Sequence, residues 1–385
     1  MGLTGTLLST LRWSSDATTV AEADALLSRL WASADARNAL TPGSEAAVRT
    51  GVMNLVVVAT GEERAAHAAA TLQTLQRNPS RTLFIVPRDP EGPAAFKAHL
   101  EVFCAVTPRG DGTAACTELL WIDAGGPVAR HLTSVIAPLA LHDLPTLLWW
   151  DAPLDPTNAD LRQMLRGIDR VMFDGSTQPG SGLETLRHLL EAAGQSGSAV
   201  SDFSLIRQGR WRDAVASMFD EPAAAPFLGA IAEIEIEYAG APGNHGPVNI
   251  VKPLYHVAWL ASRLQARVDA PLEPGSRGWS ARLVDALGHP IDVRLVPTDR
   301  PTRPGTTQRV TIGARRRGAE ARLDVVADGK TTTGRLHVDG APVRERVFSA
   351  PRATEASLLG ESLELGEIDP LSPAILRAAA ALIGA

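Results

Sequence analysis

Apolar residues in the first half of the chain gather into short runs of strand length, separated by longer stretches with helical spacing. Residues 52–59 (VMNLVVVA), 82–87 (TLFIVP), 117–123 (TELLWID), 146–150 (TLLWW) and 170–174 (RVMFD) are such runs. Continuous apolar, β-branched stretches of about four to eight residues predict strands covered on both faces. Between them, 18–40, 62–76, 128–141, 157–167 and 181–193 read as helices. Leu72 and Leu75 share a face of the second. Leu132, Val135, Ile136 and Leu139 mark the third, in which Pro138 predicts a kink or an early stop. Residues 93–107 read as a helix leading into a strand. Strands alternating with helices argue for βαβ units in a mostly parallel, doubly wound sheet.

The texture changes after a flexible connector at 194–198 (GQSGS). Residues 200–219 read as largely helical, with Trp211, Val215 and Phe219 on one face. Residues 231–238 (IAEIEIEY) alternate with period two, so Ile234 and Ile236 share one face and Glu233, Glu235 and Glu237 the other. A long helix is expected over 248–267. Beyond 270, runs such as IDVRLVP, RVTIGA, ARLDVVA and GRLHVDG alternate again, and Asp328-Gly329 and Asp339-Gly340 are hairpin turns. A helix over 370–383 closes the chain. The expected fold is α/β: an N-terminal, doubly wound, mostly parallel sheet with flanking helices, then a smaller antiparallel β-rich domain. The expected boundaries are 1–198 for a Rossmann-like domain without nucleotide fingerprint, 199–269 for a helical and strand connecting segment packed on it, and 270–385 for the antiparallel domain.

Length and charge narrow the function classes. A chain of 385 residues is long enough for two or three domains. A net charge of −6 leaves no basic excess for phosphate backbones, so nucleic acid is not an expected partner. Of 37 basic residues only Lys97, Lys252 and Lys330 are lysines, which reads as a composition bias. No window approaches about 18 uninterrupted apolar residues, and no secretory signal opens the chain, so a cytoplasmic protein is expected. Met1-Gly2 with Thr6 fits a myristoylation pattern that is short and met by chance. Cys104 and Cys116 flank TPRGDGTAA and could face each other across a hairpin; two reduced thiols are the expectation, a redox pair the alternative.

Catalytic chemistry finds little support. Gly61 stands alone after the first long strand, where a dinucleotide fingerprint needs three glycines, and Glu62 and Glu63 would repel a pyrophosphate. No P-loop, nucleophile elbow or HExxH is present, and the nine histidines are scattered. No catalytic, cofactor-binding or metal-binding residue is therefore expected. His142-Asp143 is the best local acid–base pair, and a loop role is preferred for it. The Asp174-Gly175-Ser176 turn could bind an anion through its amides, as many tight turns could. The Glu233, Glu235, Glu237 stripe needs solvent or facing arginines, and Arg315-Arg316-Arg317 reads as a solvated loop or an anchor for an acidic surface.

The segment LHDLPTLLWWD (141–151) is the most distinctive. Trp149 and Trp150 point to opposite faces of a strand. Either both are structural, or one packs inward while the other meets a partner near the strand end. Together with VMNLVVVAT, NPSRTLFIVP, ARHLTSVIAPLALHDLPTLLWWDAP, DRVMFDGS, AVSDFSLIRQGRWRDAVASMFD, IEIEYAG and AWLASRLQ, taken in order, the chain resembles the glucose-6-phosphate dehydrogenase assembly protein (OpcA) family. The resemblance implies a non-catalytic assembly factor and allosteric activator, with glucose-6-phosphate dehydrogenase as protein partner in a hetero-oligomer of the oxidative pentose phosphate pathway. Trp149, Trp150, Asp151, Arg207, Arg210 and Trp211 are the candidate docking residues, since tryptophan and arginine dominate binding hot spots. The competing expectation is a sugar-phosphate-binding enzyme with its site at the strand ends, near Asp123, Asp151 and Asp174.

Overall fold

The computed structural model describes residues 11–34, 46–49, 51–75, 80–106, 113–154, 160–241, 247–364 and 371–385. Its contacts divide the chain into two compact units: 1–152 with 157–173 and 192–199, and 153–156 with 174–191 and 200–385.

The first unit is built on a twisted sheet. In chain order come β1 (Leu11–Ala17), α1 (Val20–Ala32), β2 (Ala46–Arg49), β3 (Met53–Ala59), α2 (Glu62–Leu75), β4 (Ser80–Pro87), β5 (Ala95–Val106), β6 (Thr113–Gly125), α3 (Pro127–Arg130), α4 (Thr133–Leu139), β7 (Thr146–Asp151), α5 (Asp160–Leu165) and β8 (Arg170–Phe173). All seven residues of β3 are buried, as a strand covered on both faces requires. Strands β6, β4, β3, β7 and β8 lie side by side and parallel. The parallel run therefore starts centrally at β3, moves out through β4 to β6, and returns to the far side of β3 for β7 and β8. That reversal puts the topological switch point between the carboxyl ends of β3 and β7. Antiparallel β5 and β1 extend the sheet beyond β6, and β2 pairs in parallel with β6.

Several expectations change here. Residues 95–106 form a strand, with Ala98, Leu100, Val102 and Cys104 alternately buried; Phe103, apolar on the other face, hides that period in the sequence. Strand β1 was not expected, because Ser14, Ser15 and Asp16 give it a polar composition. The helix expected over 128–141 breaks at His131-Leu132 into α3 and α4. Cys104 and Cys116 are a disulfide, not two free thiols. The β5–β6 register sets them directly opposite each other with Cα atoms 4.0 Å apart. His142 and Asp143 are exposed in a loop held by buried Asn54, which accepts from Leu141 N at 2.7 Å and donates to Leu141 O at 2.9 Å.

The chain continues through α6 (Leu183–Ser196) into β9 (Ala199–Asp202), whose first amide donates to Asp169 O at 2.8 Å. Residues 200–219 are not one helix: β9 ends in the short α7 (Phe203–Ile206), followed by α8 (Gly209–Phe219). Then come β10 (Ile231–Ala239), α9 (Val251–Arg263), β11 (Arg267–Gly275), β12 (Gly278–Val284), β13 (Pro290–Thr298), β14 (Thr307–Arg316), β15 (Ala319–Asp328), β16 (Thr331–Val338), β17 (Ala341–Ser349), α10 (Glu355–Glu364) and α11 (Leu371–Leu382). The second sheet has the order β11-β12-β13-β10-β14-β15-β16-β17, antiparallel except for the parallel pair β10–β13. The segment expected to connect two domains thus supplies an interior strand of this sheet. Ile234 and Ile236 are fully buried on the face that α9 covers, and α11 packs on α9 and β11. The glutamate stripe on the opposite face meets arginines. Arg294 of β13 pairs with Glu233 and, at 3.1 Å, with Glu235; Arg309 of β14 pairs with Glu237 at 3.0 Å. Gly329 and both Asp339 and Gly340 have positive φ at the two expected hairpin turns.

Candidate functional site

The carboxyl edge of the first sheet is where a doubly wound fold places ligands. Here it is occupied by the protein's own charges. Arg64, in the first turn of α2, grips Asp151 at the end of β7 through two hydrogen bonds, Nε to Oδ2 at 2.7 Å and Nη2 to Oδ1 at 2.6 Å. Arg88, just past β4, bridges Glu62 and Asp123, each at 2.6 Å. A pyrophosphate at the start of α2 would therefore meet Glu62 and Glu63 and would have to take Arg64 from Asp151. Among the described residues no cluster of three or more His, Cys, Asp or Glu is arranged to hold a metal.

The two tryptophans separate as their alternation requires. Trp149 is enclosed at 1 % exposure, in register with Val57 and Met172. Its side chain is therefore not presented at the surface. Trp150 is half-buried, and its indole N–H is enclosed without an acceptor among the described residues. Buried indole N–H groups are ordinarily bonded, so the end of β7 carries an unmet donor beside Asp151.

In the second unit, Asp174 follows β8 and caps the 3-10 turn Gly175–Thr177, accepting from Ser176 N at 3.0 Å. Arg207 grips the same carboxylate, Nη2 to Oδ2 at 2.8 Å and Nη1 to Oδ1 at 3.3 Å. Burial pushes the Asp174 carboxyl up, and the bonds and charge of Arg207 outweigh it, holding the group below the usual carboxylate range. Asp202, at the end of β9, is enclosed and saturated. Its Oδ1 accepts from Gly175 N, Ser204 N and Ser204 Oγ at 2.9, 2.7 and 2.6 Å, and its Oδ2 accepts from Tyr255 OH at 2.7 Å. Burial, with Asp174 nearby, raises it to about 6. Asn249 locks the approach to α9 by donating to Gly175 O and Gln178 O, both at 2.9 Å. Gly175 is obligatory here: a Cβ on it would lie 2.4 Å from Asp202 Oδ2.

Of the remaining candidates, Arg210 is exposed and Trp211 half-buried, with the Trp211 ring edge-on to His256 at a centroid distance of 5.4 Å. His256 is fully buried and its Nε2 lacks a partner among the described residues; burial first, then Arg212, lower it to about 3, so the ring is neutral. The six candidates thus divide between the units: Trp149, Trp150 and Asp151 in the first, Arg207, Arg210 and Trp211 in the second. The sequence reading missed Asp202, Asn249, Lys252 and Tyr255. Only the rarity of lysine could have singled one of them out.

These features define a class: a two-unit α/β protein with the strand order of a nucleotide-binding sheet, whose carboxyl edge is closed by ion pairs. Two sequence families cover most of the chain. Residues 71–189 match the glucose-6-phosphate dehydrogenase subunit N-terminal domain, and residues 198–372 the corresponding C-terminal domain. The chain belongs to the OpcA family. It is 28 % identical over 193 residues to an OxPP cycle protein OpcA of Nostoc punctiforme, a match covering 49 % of this chain and 38 % of that protein. Its counterpart in Synechococcus elongatus is 23 % identical over 190 residues, 49 % of this chain and 40 % of that one. The match thus spans about two fifths of the relatives' length. Similar solved structures include a 3-ketoreductase from Actinomadura kijaniata, with a TM-score of 0.47, 12 % identity, and coverage of 86 % of this chain and 96 % of that one. An oxidoreductase from Erwinia carotovora atroseptica is similar at a TM-score of 0.43 and 12 % identity, with the same coverage.

Proposed function

We propose that this protein is a non-catalytic partner of glucose-6-phosphate dehydrogenase that binds and stabilises its active oligomer in the cytoplasm. The observation that carries the reading is the pair of adjacent matches to the two domains of a glucose-6-phosphate dehydrogenase subunit, over residues 71–189 and 198–372. The charge arrangement at the sheet edge supports it, since Arg64 and Arg88 are engaged by Asp151, Glu62 and Asp123 at the place where a dinucleotide would sit.

The mechanism is linkage. A protein that binds the active conformation of an enzyme better than the inactive one shifts the population by its differential affinity. A coupling of about 1–3 kcal/mol changes the apparent affinity for substrate roughly 5- to 150-fold. Trp150 and Asp151 at the end of β7, and Arg207, Arg210 and Trp211 around α8, are the docking residues, with Trp149 supporting Trp150 from within. The test is a steady-state assay of the cognate dehydrogenase over a range of glucose 6-phosphate, with and without this chain, paired with size-exclusion chromatography of the mixture. A co-eluting complex with higher apparent substrate affinity is expected. Unchanged kinetics with the chain in excess, or turnover of a sugar phosphate by the isolated chain, would overturn the reading; the latter outcome is the one the enzyme alternative predicts.

A further inference from the structure

Four separate segments of the second unit meet at one place, and three of them bring basic side chains. The turn after β8 supplies Asp174 and Ser176, and the start of α8 follows Arg207. The first turn of α9 supplies Lys252, and the loop between β13 and β14 supplies Arg303. Their backbones are tied together. Asn249 binds Gly175 O and Gln178 O, and Gly305 approaches so closely that a Cβ would lie 2.2 Å from Asn249 O.

The acids at this place are already spent. Both Asp174 oxygens accept from Arg207, and the Asp202 oxygens accept from Gly175, Ser204 and Tyr255. Lys252 and Arg303 are left. Among the described residues neither side chain forms a hydrogen bond or an ion pair, although Lys252 is half-buried and Arg303 exposed. Burial, and the neighbouring Arg207 and Arg303 charges, lower the Lys252 ammonium to about 8 in spite of Asp174 and Asp202. A partly desolvated cation with other cations beside it is unfavourable until an anion joins it. Arg207 also has spare capacity: its Nη1 makes only long contacts, 3.3 Å to Asp174 Oδ1 and 3.3 Å to Ser176 Oγ.

We propose that Lys252, Arg303, Arg207 Nη1 and the Ser176 hydroxyl form a binding site for a phosphate group, inorganic or carried as a monoester on a small metabolite. A dianion matches the two cations the fold leaves unpaired, and the hydroxyl and guanidinium supply directional donors for its oxygens. Carboxylate ligands and metal cations fit less well, the former through lower charge and the latter through repulsion. The site does not depend on the docking reading, because it concerns the isolated chain.

The scarcity of lysine makes the site directly observable. Protein grown with lysine carrying 13C at Cε gives signals from Lys97, Lys252 and Lys330 alone, and the Lys252→Arg variant assigns one of them. Inorganic phosphate, a hexose 6-phosphate, and sodium chloride at matched ionic strength are titrated separately. The expected result is a saturable shift of the Lys252 signal with one or both phosphate probes at up to about 50 mM, the range of weak binding. The Lys97 and Lys330 signals stay in place, and the Lys252 titration midpoint moves above its ligand-free position near 8. Response to the hexose phosphate alone identifies a sugar-phosphate ligand; response to both identifies the phosphate group as sufficient. Arg303→Ser, at an exposed position that leaves folding intact, weakens binding roughly tenfold. No shift with either probe, equal shifts of all three lysines, the same response to chloride, or undiminished binding by Arg303→Ser would each overturn the site.

Discussion

Glu118 shows how a buried charge is kept in this fold. Its carboxylate on β6 is 2 % exposed and is met by Arg81 of β4, by Arg49 Nε at 2.7 Å and by the Trp31 indole at 2.5 Å, while Arg81 Nη1 donates to Leu139 O at 2.6 Å. Burial pushes Glu118 up, yet Arg81 and Arg49 prevail and hold it below its ordinary value. Glu118→Gln keeps the shape and strands the Arg81 charge, so a loss of about 3–5 kcal/mol in urea unfolding is expected; a midpoint within error of wild type would refute this account. Two other buried groups act against each other with pH. His256, lowered to about 3, takes a proton more readily unfolded than folded, so its contribution is complete above about pH 6.5 and is lost as the solution is acidified. Asp202, raised to about 6, works the other way: its ionisation is disfavoured in the fold, so its contribution declines as pH rises from about 4 to 6. The two slopes partly cancel over that window. Urea midpoints measured from pH 4 to 7 should therefore fall more gently on acidification for His256→Phe and more steeply for Asp202→Asn. Each group accounts for at most about 1.4 kcal/mol per pH unit, and parallel profiles for all three proteins would exclude both assignments.

At the scale of elements, legibility in the sequence followed the cleanness of each pattern. Strands β3, β7, β8 and β10 announce themselves because burial on two faces, or strict alternation, leaves few other readings. Strand β5 does not, since Phe96 and Phe103 place apolar groups on both of its faces, and β1 is visible only as the antiparallel neighbour of β5. The disulfide was legible only as the alternative to two reduced thiols, because the choice depends on the register of β5 against β6, which sets Cys104 opposite Cys116. Asp174 was legible as a residue at a strand end. Its companions Asp202, Asn249 and Lys252 were not, because they reach the same place from separate segments and no local spacing relates them. The junction of these elements is tight, and a glycine tests it. Gly175→Ala would set a Cβ 2.4 Å from Asp202 Oδ2 and 2.9 Å from Val251 Cγ1, so the turn, the end of β9 and the start of α9 must shift together. A loss of about 1–3 kcal/mol is expected. Gly61→Ala has nothing within 4 Å of its added carbon and serves as the control. Equal melting temperatures for the two variants would show that the junction is looser than these distances require.

For the whole molecule, the proposed function requires that a protein with a nucleotide-binding strand order and no glycine fingerprint act on another enzyme's substrate affinity. Linkage makes that effect quantitative and reciprocal. If the chain prefers the substrate-competent form of the dehydrogenase, glucose 6-phosphate must tighten the binding of the chain by the same factor by which the chain tightens the binding of glucose 6-phosphate. In the proposed complex Trp150 and Trp211 are the aromatic anchors, and their half-burial in the free chain reduces the side-chain freedom to be lost on docking. Trp211→Ala and Trp150→Ala should each weaken the complex by roughly 2 kcal/mol, about thirtyfold, the scale of a hot-spot residue. Trp150→Phe keeps one aromatic ring and loses the pyrrole ring together with its unbonded N–H; a loss near that of the alanine variant would mean that the partner is held by that half of the indole. The decisive comparison is between two dissociation constants for the chain, measured by calorimetry with the dehydrogenase free and saturated with glucose 6-phosphate. Their ratio should equal the ratio of glucose 6-phosphate dissociation constants measured without and with the chain. Complex formation with both ratios at unity would describe a scaffold that holds the dehydrogenase without altering it, and the activator reading would then be wrong even though the partner was right.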